Sequence, residues 1–350
     1  MSESPVTQRP NPELRRRPAE EILSGESADV YFRRAEEILE REGLDPRVVL
    51  EVFTRRAAVL CGVDEAKVLL AHVLTANGDV QVEALSDGDL VEPREVVLRI
   101  RGRYRAFGLY ETALLGMLAQ STGWATAARE CVETAAPEPV VSFGARHVHP
   151  EISDTLDYAA IVGGCVGAST PAGARLAGLR PTGTMPHSLV LIFGDTVRAA
   201  EAFDRHMPAD IPRVVLVDTF KDEAEEALRV AHALGDRLFG IRLDTPSERG
   251  RVTAELVSEI RARLDQAGFG HVKIIVSGGL SPDRIRYFRE YGAPVDSYAV
   301  GSYISGAQPI DFTGDLKEID GRPIAKRGRI PGLTPSPRLR AVDLAEWRAK

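Results

Sequence analysis

From Pro139 onward the chain repeats one unit: a short apolar run rich in β-branched residues, then a segment with apolar residues at helical spacing. The runs are Val140-Val-Ser-Phe-Gly, Arg213-Val-Val-Leu-Val-Asp-Thr-Phe, Gly240-Ile-Arg-Leu-Asp-Thr, His271-Val-Lys-Ile-Ile-Val-Ser-Gly-Gly and Val295-Asp-Ser-Tyr-Ala-Val-Gly-Ser. Between them Ala224, Ala227, Leu228, Ala231 and Leu234, and again Leu256, Ile260 and Leu264, follow a helical period. Alternating strands and helices imply parallel strands. Strand starts near 214, 240, 272 and 296 are closer together than in most doubly wound folds with long insertions, so an α/β barrel is favoured over an open sheet.

A chain of 350 residues exceeds a typical single domain. Residues 1–24 are rich in Pro, Arg and Glu without periodicity and read as a disordered arm. A domain over 25–125 is expected to be α+β. Ala28-Asp-Val-Tyr-Phe-Arg-Arg-Ala-Glu-Glu-Ile-Leu-Glu40 forms a helix with Phe32, Ala35 and Leu39 on one side, and a second helical patch covers roughly Pro46 to Val59. Half-buried strands over Val80–Leu85 and Val91–Tyr104 are broken by Asp87-Gly88 and Pro93. A long buried helix follows from Tyr110. The barrel occupies 126–304, and the Gly/Pro-rich stretch 305–350, with an Asp320-Gly321 turn, returns to pack on the first domain.

A net charge of -7 argues against a general nucleic-acid surface. The longest apolar run, Ala159–Ala168, is too short to span a bilayer, and the amino terminus has no apolar signal core, so a cytoplasmic protein without membrane association is expected. Cys61, Cys131 and Cys165 are odd in number and widely spaced, which fits reduced thiols and excludes a four-cysteine zinc site.

In a barrel, function gathers at the carboxyl ends of the strands. Ser277-Gly278-Gly279, followed by a helix capped by Ser281-Pro-Asp, and Gly301-Ser302 after the next strand form either a phosphate cup or two tight turns. Asp218 and Asp244 end successive strands; they bind ribose hydroxyls or a Mg²⁺ that travels with pyrophosphate, or else cap the following helices. Arg242 shares a strand face with Asp244, as an ion-pair partner or an anion ligand. Phe143 and Arg146 place a ring and a guanidinium where a strand turns outward, which suits a flat carboxylated ring. His147 and His149 have the spacing of metal ligands on one strand face, with no third ligand fixed by spacing. Gly163-Gly-Cys-Val-Gly-Ala168 reads as a helix end and turn. In Arg180-Pro-Thr-Gly-Thr-Met-Pro-His-Ser188, His187 is either a chemical group or the start of a helix carrying Leu189, Ile192 and Phe193, with Ser188 or Thr184 as cap.

Taken in order, Tyr110-Glu-Thr with Leu114-Leu115, Phe143-Gly-Ala-Arg, Gly183-Thr-Met-Pro-His-Ser188, Val217-Asp-Thr, Arg242-Leu-Asp-Thr, Val276-Ser-Gly-Gly-Leu280 and Ala299-Val-Gly-Ser-Tyr303 resemble nicotinate phosphoribosyltransferases, most closely the short archaeal and bacterial form. The resemblance implies a type II phosphoribosyltransferase fold: an irregular α/β barrel plus an α+β sandwich domain built from the amino-terminal part and the tail. It implies formation of nicotinate mononucleotide and pyrophosphate from nicotinate and phosphoribosyl pyrophosphate, coupled to ATP hydrolysis and assisted by Mg²⁺, in a homodimer with shared sites. Position by position, Tyr31 of a neighbouring subunit and Phe143 would sandwich the pyridine ring, with Arg146 near the nicotinate and pyrophosphate. Asp218 and Asp244 would hold ribose or Mg²⁺, and Arg242 the phosphorylated sugar. Ser277, Gly278, Gly279, Gly301 and Ser302 would cradle its 5′-phosphate. Thr184 would lie in a loop that lets phosphate approach His187, the residue phosphorylated by ATP. The chain departs from the family pattern at His147, where many relatives carry a second Arg, and at Thr245-Pro-Ser-Glu248, where Ser-Gly-Asp is common. Its tail lacks the cysteines of a metal knuckle, so no zinc is expected. Rival functions are quinolinate or nicotinamide phosphoribosyltransferase, a Schiff-base lyase, for which Lys273 lies too early in its strand, and a non-catalytic phosphate-binding protein.

Overall fold

The computed structural model describes residues 17–74 and 80–348. The strands in chain order are β1 (Arg47–Thr54), β2 (Ala58–Val59), β3 (Gln81–Ala84), β4 (Leu90–Val91), β5 (Val96–Arg103), β6 (Val140–Ser142), β7 (Gly167–Ala168), β8 (Arg213–Leu216), β9 (Leu238–Leu243), β10 (Lys273–Val276), β11 (Ser297–Val300), β12 (Phe312–Ile319), β13 (Arg322–Pro323) and β14 (Arg340–Ala341). The α-helices are α1 (Glu20–Leu23), α2 (Val30–Arg41), α3 (Val63–Val73), α4 (Glu111–Ala135), α5 (Ser153–Val162), α6 (Pro171–Leu176), α7 (His187–Phe193), α8 (Thr196–His206), α9 (Glu223–Leu234), α10 (Ala254–Gln266), α11 (Pro282–Tyr291) and α12 (Ser302–Ser305). They form two compact units.

The first unit runs through Thr126 and includes Arg175–Gly178 and the chain from Ala307. Its sheet has the order β13-β12-β1-β5-β3-β14, so the tail supplies three of six strands rather than only packing against them. The helical patch expected over Pro46–Val59 is instead mostly β1, which is central and pairs antiparallel with both β5 and β12. Its Arg-Val-Val-Leu-Glu-Val-Phe-Thr run is rich in β-branched residues, and pairing on both edges outweighs the helical spacing read from it. Val48, Leu50 and Val52 pack with Leu98 and Ile100 of β5 and with Leu69, Leu70, Leu114 and Leu118 of the helices. The Asp320-Gly321 turn joins β12 to β13 as expected, with both residues at positive φ, 48° and 75°, as a two-residue hairpin requires. Part of the arm expected over 1–24 lies outside the described residues, but Glu20–Leu23 forms a helical turn whose Leu23 carbonyl accepts from Tyr110 Oη at 3.0 Å. On α2 the expected face of Phe32, Ala35 and Leu39 is the covered one, while Tyr31 is 57% exposed.

One buried charge pins the tail to this sheet. Glu51, opposite Arg99 across the β1–β5 ladder, is 1% exposed; it accepts from Arg99 Nε at 2.9 Å and from the Thr334 backbone N–H at 3.1 Å. The Glu51→Gln variant leaves the Arg99 guanidinium without its full counter-charge in a dry setting, so a loss of about 3–5 kcal/mol in urea unfolding is expected. A midpoint unchanged from the parent would show the pair to be dispensable.

The second unit comprises Ala127–Ala174 and Leu179–Gly306. Its sheet is parallel, in the order β7-β6-β11-β10-β9-β8. That is the cyclic order of a barrel left unclosed between β7 and β8, so the fold is an irregular barrel with one open seam. Val214, Val215 and Leu216, Ile241 and Leu243, Ile274 and Val276, and Ala299 and Val300 are all buried, and α9 and α10 turn Ala224, Ala227, Ala231 and Leu234, and Val257, Ile260 and Leu264, inward. The glycine run after α5 is a helix end and turn, as expected, but its last two residues are also β7, an edge strand too short to leave a periodic signal. All three cysteines are buried and free. Among the described residues no helix is long and apolar enough to cross a membrane.

Candidate active site

The loop of residues 179–186 runs between the two edges of the open seam. The Thr182 N–H donates to the Ala168 carbonyl of β7 at 2.8 Å, an approach possible because Gly167 has no side chain: a Cβ there would lie 2.5 Å from Thr182 Oγ1. His187 then starts α7, and its Nε2 lies 2.9 Å from Asp218 Oδ2, just past β8. The loop is therefore fastened to both edge strands. Neither Ser188 nor Thr184 caps α7: the cap position is Pro186, without a side-chain bond. Nor do Leu189, Ile192 and Phe193 anchor the helix. Ile192 is 81% exposed, whereas Met185 and Val190 are buried, because His187 fixes the inward face and Val190 is one turn beyond it.

Asp218 is almost fully buried, and its second oxygen, Oδ1, has no hydrogen-bond partner among the described residues; neither does Thr219 Oγ1. The Asp218 hydrogen bond holds the His187 pKa above its ordinary value, against the opposing effect of partial burial. A carboxylate accepts, so Nε2 carries the proton and, in the neutral ring, Nδ1 keeps a free lone pair. Helix α9 is capped by Asp222 and α10 by Thr253, so Asp218 and Asp244 are not the helix caps that were the alternative.

Beside this pair, Arg242 organises four contacts. Its Nη2 donates to Asp244 Oδ2 at 2.6 Å, Nε to Ser277 Oγ at 2.9 Å and Nη1 to Thr184 Oγ1 at 3.2 Å, and its Cζ lies 5.2 Å from the centre of the Phe143 ring. Ser277 Oγ also lies 2.8 Å from Asp244 Oδ1 and 3.0 Å from the Leu243 carbonyl, the two acceptors for its one proton. Both Asp244 oxygens are thus engaged. Arg242 is an ion-pair partner here, and Ser277 holds Arg242 and Asp244 in place. Arg242, rather than Arg146, faces the Phe143 ring; Arg146 is exposed, without an ion pair among the described residues.

The glycine turns follow. Gly278 and Gly279 have φ of 86° and 62°, and Ser281 caps α11 as expected. The N–H groups of Gly278 and Gly279 have no partner among the described residues. A Cβ on Gly278 would stand 3.1 Å from Asp244 Oδ1, and one on Gly279 2.5 Å from Arg251 Nη1. Gly301 and Ser302 lead into α12, and a Cβ on Gly301 would be 3.0 Å from the His147 ring. His147 and His149 do not share a strand face: His147 lies in a 3-10 turn with Nδ1 3.0 Å from Ser305 Oγ, and His149 caps the next turn. No group of three or more His, Cys, Asp or Glu among the described residues is arranged to hold a metal ion. Tyr31 belongs to the first unit, its hydroxyl on Asp29 at 3.1 Å. Sequence reading missed Arg251; the only signal was a cation following the Asp244 strand end in Arg249-Gly-Arg251.

Known proteins agree with this architecture. The N-terminal domain of quinolinate phosphoribosyl transferase matches residues 29–122 and its C-terminal domain residues 124–315. A nicotinate phosphoribosyltransferase of Mycobacterium tuberculosis is 32% identical over 273 residues, 75% of this chain and 59% of the relative, and one of Bacillus subtilis is 27% identical over 78% of this chain and 62% of the relative. The chain thus spans about three fifths of these relatives. The crystal structure of nicotinate-nucleotide pyrophosphorylase from Pyrococcus furiosus superposes with a TM-score of 0.84 at 43% identity, covering 90% of this chain and 81% of that one. With both domains matched in order and the second alone covering more than half its length, the chain belongs to the quinolinate phosphoribosyl transferase family, the type II phosphoribosyltransferases.

Proposed function

We propose that the protein is a nicotinate phosphoribosyltransferase: it joins nicotinate to the phosphoribosyl group of phosphoribosyl pyrophosphate, releases pyrophosphate, and couples this to ATP hydrolysis through His187. The observation that carries the reading is the His187–Asp218 pair, which joins the seam loop to the end of β8 beside Arg242, Asp244 and the glycine turns. The pyridine nitrogen attacks the anomeric carbon, its lone pair forming the new C–N bond as the C–O bond to pyrophosphate breaks. Carboxylates nearby favour the oxocarbenium-like state, and stacking on Phe143 orients the ring. Tyr31 of a second copy would complete the sandwich in a homodimer; its exposure supports that role. Arg146, with no ion pair among the described residues, supplies the counter-charge to one pyridine carboxylate.

Asp218 Oδ1, buried and without a partner among the described residues, fits a hydrated Mg²⁺ that keeps most of its ligands as water and substrate oxygens. Both Asp244 oxygens are already engaged, so the metal contact falls to Asp218. When bound, the ion neutralises charge on the departing pyrophosphate. His187 Nδ1 takes the γ-phosphoryl group of ATP, forming a P–N bond as the P–O bond to ADP breaks, and passes it to water in the coupled cycle.

The name of the matched family favours quinolinate as a second reading. Its extra carboxylate calls for more cations, but Lys221 pairs with Glu225 at 2.8 Å and Lys273 with Asp296 at 2.9 Å. Mononucleotide formation from nicotinate, nicotinamide and quinolinate, each with and without ATP, separates these readings. Product from nicotinate, stimulated by ATP in the parent and unstimulated in His187→Ala, is expected. No product from nicotinate under any condition would overturn the reading, and stimulation that survives in the variant would remove His187 from the coupling.

A further inference from the structure

The loop after β9 carries a cation that none of the roles above uses. Arg251 has φ of 67°, a left-handed conformation that a non-glycine residue rarely adopts, directly after Gly250 at 90°. The loop is tied down on both sides of it. Before it, Thr245 Oγ1 donates to buried Glu223 at 2.9 Å, Arg249 pairs with the same carboxylate at 3.4 Å, and the Arg251 N–H donates to the Pro246 carbonyl at 3.1 Å. After it, Arg284 of α11 donates to the Val252 carbonyl at 2.7 Å. Arg249 and Arg284 are engaged in holding the loop, whereas the Arg251 guanidinium has no carboxylate among the described residues. It lies instead against Gly279, where a Cβ would stand 2.5 Å from Nη1 and 3.5 Å from Cζ. Glycine at 279 thus answers two needs, a φ of 62° and room for this guanidinium.

An unpaired guanidinium, held by a restrained loop against Gly279, in a turn where the N–H groups of Gly278 and Gly279 also lack partners among the described residues, is a set of donors without an acceptor. A tetrahedral dianion satisfies all of them at once, through charge-assisted hydrogen bonds from the fork of the guanidinium and from the backbone. We propose that Arg251 is a binding residue for the 5′-phosphate of the phosphoribosyl substrate, gripping it against Gly278 and Gly279 from the β9 loop. This rests on the phosphoribosyl reading of the glycine turns. The Thr245-Pro-Ser-Glu248 departure then has a purpose: Thr245 and Arg249 fasten the loop to Glu223 so that Arg251 arrives at Gly279.

Ribose 5-phosphate binding by calorimetry tests this without turnover, alongside KM for phosphoribosyl pyrophosphate and for nicotinate, in the parent and in Arg251→Gln, Arg251→Lys and Arg251→Gly. Losing one charge-assisted contact should weaken ribose 5-phosphate binding and raise KM for phosphoribosyl pyrophosphate about 10- to 100-fold in the Gln and Gly variants, with KM for nicotinate unchanged and Lys in between. Arg251→Gly also relieves the left-handed backbone, so its Tm should be no lower than the parent's. Parent-like ribose 5-phosphate binding in Arg251→Gly overturns the proposal, as does a lowered Tm with ribose 5-phosphate and nicotinate weakened equally, which marks a structural residue. If the parent binds ribose 5-phosphate but makes no mononucleotide, the transferase reading fails while the binding data still decide Arg251. If the parent does not bind it, both fail.

Discussion

Replacing Arg242 with methionine should lower kcat/KM for mononucleotide formation by about 10³-fold or more, because one substitution removes four contacts that converge on the site. Asp244 loses the cation 2.6 Å from Oδ2, Ser277 and Thr184 lose their donors, and the Phe143 ring loses the guanidinium over its face. The freed carboxylate keeps only Ser277 to hold it, so the negative charge that would stabilise an oxocarbenium-like state is no longer fixed in place. A stability cost of about 2–3 kcal/mol should accompany this in urea unfolding. Arg242→Lys should recover much of the stability and little of the activity, since an ammonium cannot hold three oxygens in a planar fork. A lysine variant as active as the parent would reduce Arg242 to a point charge.

In Asp218→Asn, the ATP-stimulated part of the rate should fall by about 10²- to 10⁴-fold, with its pH dependence displaced. Asp218 raises the His187 pKa and fixes the proton on Nε2. Neutral imidazole, the form that accepts a phosphoryl group, therefore accumulates only as pH rises through that raised value, and ATP stimulation in the parent should climb over the same range. The amide removes the charge that holds the proton, so the residual stimulation should climb at lower pH than in the parent. Stability carries the matching sign. A histidine whose folded pKa is raised contributes stabilisation fully below its unfolded pKa of about 6.5 and loses it as pH rises through the folded value. The parent's advantage over Asp218→Asn should therefore be larger at pH 6 than at pH 9. Identical pH profiles for ATP stimulation in the two proteins would dissociate His187 from Asp218.

Sequence reading succeeded where a residue's neighbours along the chain dictate its state. The apolar runs at 140, 213, 240, 271 and 295 each contain a parallel strand, because their composition suits only a sheet covered on both faces. Asp218, Asp244 and the Ser277-Gly-Gly279 turn lie at strand ends by that fact alone. It failed over β1, where apolar spacing is compatible with a helix until β5 and β12 are present to pair with it. It failed again at α7, whose inward face is chosen by the bond from His187 to Asp218, a partner 31 residues away.

The chain's local chemistry alone therefore determined the alternation of strands and helices, the two glycine turns, the Asp-Gly hairpin and the polar residues presented at the strand ends. Tertiary structure decided which of those polar residues meet. Arg242 joined Asp244, Ser277 and Thr184 while Arg146 stayed alone; Asp218 kept one carboxylate oxygen for a ligand; and Arg251, with no motif around it, came to rest against Gly279. The physical reason is range. Periodicity and turn preference act within a few residues, whereas the seam left between β7 and β8, and the loop that Thr182 and His187 hold across it, exist only once the sheet has wrapped so that β6, the unit's first strand, pairs with β11, its last.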